Sequence, residues 1–288
     1  MRTGDITVVG RLSSASNVTL VGRLDADGTE IDVVYKPTSG IRPLWDFESE
    51  LLARHEVAAY EVAAAAAQVC QAFGIGESEG LDDDATRPLI PMTVMRPDGP
   101  FGEGSVQLWI DEPEDAAELV AIVRPDELEP GWHVVFEAYD QFDRDVYVVH
   151  ADDRRLRRMA LLDEVLNNAD RKGQHLLTNA DNAVFGVDHG LCFHVDPKLR
   201  TVLWGWAGVE YDDADVAWLR VLDESVHDVA AASLAALLPA EEIDALHQRL
   251  ARTAGRGRLA LCCTIWPIFP ALNGCAIPPA TPTTSRTR

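Results

Sequence analysis

An α+β fold in two unequal lobes is predicted, on three observations. Short alternating segments are confined to the first 110 residues, a single alanine-rich helical run interrupts them, and beyond residue 111 the apolar spacing is mostly helical. At 288 residues the chain is long enough to bury a full core.

Residues 6–12 alternate apolar and polar, Ser13-Ser-Ala-Ser-Asn17 breaks the pattern, and residues 18–24 resume it. Asp25-Ala-Asp-Gly28 is a hairpin turn, and residues 30–36 form a third strand. After a loop at 37–43, residues 47–73 carry Leu51, Leu52, Val57, Tyr60 and Val62 at helical spacing. Asp82-Asp-Asp84 reads as a solvated loop. Residues 89–95 and 105–110 read as two more strands around the turn-rich Arg96-Pro-Asp-Gly-Pro100. The polar stretch 110–115 marks the crossing between lobes. In the second lobe, residues 152–167 place Leu156, Met159, Leu162, Val165 and Leu166 on a helix with acidic residues at its start, where the dipole favours them. Residues 176–177 and 183–187 make a strand pair. Helices are expected at 215–238 and 240–254, and a disordered Pro/Thr/Ser-rich tail beyond Pro278.

A net charge of −22 excludes nucleic acid as the main partner, because phosphate backbones need a basic face. It also opposes passive adhesion to anionic lipid. Five cysteines without CxxC pairs suit a reduced compartment. The N-terminus lacks a signal-peptide core, and the most apolar run, 259–272, is too short to span a bilayer and holds Pro267 and Pro270. A cytoplasmic protein without integral membrane association is expected. The oligomeric state is not legible.

Two carboxylates dominate the chemistry. Asp170 follows a helical run on a short turn, and Asp188 precedes Gly190 after an apolar strand. Phosphoryl transfer divides labour this way: one carboxylate orients the attacking hydroxyl and a second holds the metal. Lys36 ends the third strand, where an ammonium suits nucleotide phosphates, although a strand-end surface lysine would look the same.

The stretches Asn168-Ala-Asp-Arg-Lys-Gly-Gln-His175 and Asp188-His-Gly-Leu-Cys-Phe193 resemble the active-site motifs of the phosphatidylinositol 3-/4-kinase-like superfamily. They look most like those of type II phosphatidylinositol 4-kinases. The layout is similar to a little-characterised actinobacterial family of kinase-like proteins. The resemblance covers roughly residues 5–210. It implies a bilobal protein-kinase-like fold, with a small antiparallel-sheet N-lobe at 1–110 that binds nucleotide. A mostly helical catalytic lobe would occupy 111–258, and a tail 259–288. ATP with Mg²⁺ or Mn²⁺ is the implied cofactor set, and the partner is an unidentified hydroxyl acceptor: a protein hydroxyl, an inositol lipid or a small molecule.

By the same resemblance, Asp170 orients the hydroxyl and Glu56 pairs with Lys36, with Glu50 and Glu61 as rivals. Ser13, Ser14, Ser16 and Asn17 cover the phosphates, while Gln107, Leu108, Trp109 and Ile110 meet the adenine. Asp188 holds metal. Arg171 braces the loop and Asn168 orients the turn. His175 stands where kinases carry a metal-binding asparagine, which leaves three readings open: an altered ligand, a structural histidine, or a nucleotide-binding pseudokinase. His189 reads as a packing residue. Lys198 and Arg200, beside Trp204 and Trp206, either bind an acceptor or belong to a structured loop. Transfer of a nucleotidyl group remains an alternative to phosphoryl transfer.

Overall fold

The computed structural model describes residues 1–260 apart from 14, 16, 27, 74–80 and 82. The expected tail and the acidic Asp82 lie outside the described residues.

Three strands open the chain, β1 (Asp5–Arg11), β2 (Leu20–Ala26) and β3 (Thr29–Pro37). With β4 (Thr93–Gly99) and β5 (Gly102–Leu108) they form an antiparallel sheet in the order β1-β2-β3-β5-β4. The last two strands reach further into the turn between them than predicted, to Gly99 and from Gly102, because pairing resumes past Pro97 at Gly99↔Gly102; at their outer ends they are shorter, at Thr93 and Leu108. The sheet has its own small core of Leu20, Leu24, Val33, Tyr35, Val94 and Val106.

Helix α1 (Leu52–Phe73) joins a different core. Alanines on several faces make it apolar over most of its circumference, and it is buried except along a stripe that includes Arg54, Gln68 and Gln71. It packs against β4 and β5 on one side and against helices near the C-terminus on the other. The predicted start at residue 47 is corrected to Leu52: Phe47 is buried, but in a separate cluster with Leu52 and Ala169 rather than on a helical face.

The stretch after the crossing, expected to belong to a mostly helical lobe, instead holds a second antiparallel sheet. It is built from β6 (Val120–Val123), β7 (Trp132–Tyr139) and β8 (Asp145–Ala151), in the order β6-β8-β7. Helix α2 (Arg154–Leu166) follows, N-capped by the Asp153 side chain, which accepts from the Arg155 amide. Strands β9 (Leu176–Thr178) and β10 (Val184–Gly186) pair as predicted. The predicted helix 215–238 divides into α3 (Asp213–Glu224), one π turn (Ser225–Val229) and α4 (Ala231–Leu237); α5 (Ala240–Arg256) then begins after Pro239. The whole is a mixed α/β chain with antiparallel sheets. No described helix is long and apolar enough to cross a membrane.

His150 on β8 locks this second sheet to the loop behind the site. Its Nδ1 donates to the Ala151 carbonyl and its Nε2 accepts from the Gly205 amide at 3.0 Å, so the ring must be neutral. Burial pushes its pKa down to about 4. A neutral ring that must charge on unfolding destabilises the fold as pH falls from ~6.5, the unfolded value, through the folded value. We expect a loss on the order of 2–3 kcal/mol between those limits. Denaturant titration at stepped pH checks it, and His150→Gln should flatten the profile.

Candidate active site

Three groups far apart in sequence meet where the first sheet faces the second half. Lys36, at the end of β3, donates from Nζ to Glu56 on α1 and, at 2.9 Å, to Oδ1 of Asp188 just beyond β10. Glu56 also accepts from the His189 amide at 3.0 Å, so one carboxylate ties the lysine to the loop that carries Asp188. Of the rivals, Glu50 is exposed and Glu61 faces Arg2. Burial opposes the Lys36 charge, but Asp188 and Glu56 together outweigh it and raise its pKa. Asp188 is held well below the usual carboxylate range, chiefly by Lys36. The ammonium and the aspartate are therefore both charged at neutral pH.

Asp188, not Gly190, adopts the left-handed backbone, with φ 61°. A non-glycine residue there is strained, and such strain concentrates at functional sites. The glycine in close approach is Gly186, where a Cβ would lie 2.8 Å from the end of the Met159 side chain.

Asp170 sits on a turn built from buried polar groups. Helix α2 ends at Asn167 in the left-handed region, φ 58°. Arg171, 1% exposed, donates from Nε and Nη2 to the two oxygens of Asp163, each at 2.8 Å, and from Nη1 to the Val187 carbonyl at 2.9 Å. Asn168 Nδ2 donates to the same Asp163, while its Oδ1 receives the Asp170 amide at 3.0 Å. Both residues thus brace and orient the turn without bonding the Asp170 carboxylate itself. Lys172, which sequence reasoning missed, donates to Asp170 Oδ2 at 2.8 Å. The only available signal was its two-residue spacing from Asp170.

His175 is buried, and its Nε2 lies 3.4 Å from Asp188 Oδ2. Desolvation lowers its pKa, so the ring is neutral. Among the described residues, no group of three or more His, Cys, Asp or Glu side chains can hold an ion. The donor pair of Asp188 and His175 suits a divalent ion only if nucleotide oxygens and water complete its shell, which is how Mg²⁺ is commonly bound. His189 is fully buried and receives Arg171 Nη2 at 2.7 Å on its Nε2, in keeping with a packing residue.

Lys36, Glu56, Asp170, Lys172, His175 and Asp188 line one cavity of about 1100 Å³. Gln107, Leu108, Trp109 and Ile110 line it too. The Gln107 side chain is tied to Thr93, and the amides of Leu108 and Trp109 donate to Met92 and Asp32. Ile110 follows the strand with its amide unengaged among the described residues. Asn17 and Ala15 of the serine-rich turn line the cavity. Ser13 does not line the cavity, Ser14 and Ser16 lie outside the described residues, and the Asn17 side chain accepts from the Arg42 amide at 3.0 Å.

The chain is 42% identical over 254 residues to Protein Rv2133c of Mycobacterium tuberculosis, covering 85% of this chain and 84% of that protein. It belongs to the Rv2133c family. No family model matches this member. A crystal structure of a Helicobacter pylori proinflammatory kinase, CtkA, overlaps 89% of this chain and 93% of its own, with a TM-score of 0.41 and 10% identity. An overlap at that level bears on neither fold nor activity.

Proposed function

We propose that this Rv2133c-family chain is an ATP- and divalent-metal-dependent phosphotransferase, bilobal and phosphatidylinositol 3-/4-kinase-like, acting on an alcohol. The single observation that supports this best is the Lys36 ammonium shared by Glu56 and Asp188 on the wall of the large cavity. A lysine fixed by a helix glutamate beside a metal-binding aspartate is what a nucleotide triphosphate needs from its protein. In this reading the N-lobe spans residues 1–110 and the catalytic lobe 111–258. Asp188 and His175 would hold the metal, which supplies charge neutralisation on the phosphates.

The protein's own part is positioning. Lys36 holds phosphate oxygens and Asp170 accepts the proton of the incoming hydroxyl. The hydroxyl oxygen forms the new bond to the γ-phosphorus as the bond to the bridging oxygen breaks, and ADP leaves with that electron pair. Lys172, bonded to Asp170, keeps the carboxylate aimed.

A second reading, a nucleotide-binding protein without turnover, is favoured by the imidazole of His175 at a position that kinases fill with asparagine. Parallel incubation with γ- and α-labelled ATP separates the readings: γ-label transfer supports the kinase, α-label transfer means nucleotidylation, and binding without transfer means a pseudokinase. Lys36→Ala should weaken ATP binding by about tenfold or more, as expected for loss of a charge-assisted contact of 1.5–3 kcal/mol. Calorimetry checks this, and unchanged affinity in a folded variant would sink the site.

A further inference from the structure

The cavity wall holds two cations that the nucleotide reading leaves unused. Arg42 and Arg200 both line it, and among the described residues neither side chain has a hydrogen bond or ion pair. In a chain of net charge −22, most cations near carboxylates are already paired, so two unpaired guanidinium groups facing one cavity call for an anion.

Their backbones are fixed. The Arg200 amide donates to the Asn168 carbonyl at 2.8 Å, and the Arg200 carbonyl accepts from the Arg171 amide at 3.0 Å. Those two bonds bracket Asp170, so residue 200 runs directly alongside it. The Arg42 amide is held by Asn17. Trp45 lines the same cavity and is 90% exposed, an extreme value for the largest apolar side chain. The Lys198 ammonium sits 5.2 Å from its ring centroid and is neutralised by Asp46 at 2.8 Å. Lys198 therefore steadies the tryptophan, and the arginines alone offer free charge.

We propose that the acceptor is an alcohol bearing a phosphate or carboxylate, gripped by Arg42 and Arg200 against Trp45 while its hydroxyl meets Asp170. This rests on the phosphotransferase reading. Bidentate guanidinium pairing gives the geometry for such an anion, and a flat exposed indole gives a surface for its carbon skeleton.

The test fills the nucleotide site with a non-hydrolysable ATP analogue and Mg²⁺, then follows tryptophan fluorescence, with Trp45→Phe identifying the Trp45 signal. One arm adds glycerol 3-phosphate, with glycerol as the neutral control. The other adds phosphatidylcholine vesicles with or without phosphatidylglycerol. A response to the charged probe in either arm supports the proposal, the first pointing to a soluble acceptor and the second to a lipid headgroup. Arg42→Ala and Arg200→Ala should each weaken that response about tenfold, at unchanged analogue affinity, and Arg200→Lys should fall between. The proposal is overturned if the analogue binds but neither charged probe does, or if the double variant responds like the wild type. Failure of the analogue itself to bind would remove the phosphotransferase reading, and this one with it.

Discussion

Asp170→Asn is expected to leave nucleotide affinity nearly unchanged and to lower kcat by roughly 10²–10⁴-fold, the range that general-base catalysis supplies. The substitution keeps the shape of the side chain, and the Asn168 contact to the residue 170 amide does not depend on the carboxylate. What disappears is the proton acceptor, together with the charge that Lys172 pairs with. A loss in kcat without a matching change in ATP dissociation constant identifies a group that acts in the transition state. Retention of most wild-type turnover, measured by γ-label transfer, would mean that Asp170 has been misassigned.

The largest stability effect should follow Arg171→Met. The guanidinium and the Asp163 carboxylate are both sealed from solvent, and Asn168 adds one more bond to the same carboxylate. Burial works against the arginine charge, but Asp163 outweighs it and raises its pKa. Removing only the cation leaves a buried carboxylate uncompensated, which costs about 3–5 kcal/mol. Denaturant unfolding measures this directly. Adding Asp163→Leu to Arg171→Met should recover part of the loss, since replacing both ions is far less harmful than stranding one. If the double variant is no more stable than the single one, the cost lies in the backbone contacts of Arg171 to Val187 and His175 instead.

How much of this was legible follows from the range of each interaction. The Asp170 and Asp188 loops each carry their chemistry within a few residues, and the strand holding Lys36 is short and clearly bounded. Glu56 stood among three helix glutamates, and only the fold brings it, rather than Glu50 or Glu61, onto Lys36. The β6-β8-β7 sheet escaped notice for local reasons. β6 is four residues long, β7 carries a bulge between Val134 and Phe136 that breaks alternation, and β8 loses its alternation at the consecutive buried residues Val148, Val149 and His150. Phe47 extended the apparent helical period because burial and helicity leave the same mark on a sequence. The bracketing of Asp170 by Arg200 joins segments some thirty residues apart through main-chain bonds, which side-chain identity does not encode.

One consequence follows from α1 belonging to the larger core. Glu56, Asp170, Asp188 and His175 all ride on elements joined to that single packed body, whereas Lys36 arrives from a sheet with its own small core. Alignment of the site therefore reduces to one mechanical coordinate, the tilt of the sheet against everything else. A ligand that bridges Lys36 and Asp188 acts as a tether across that joint, and a change far out on the sheet can detune the ammonium while the carboxylates keep their geometry.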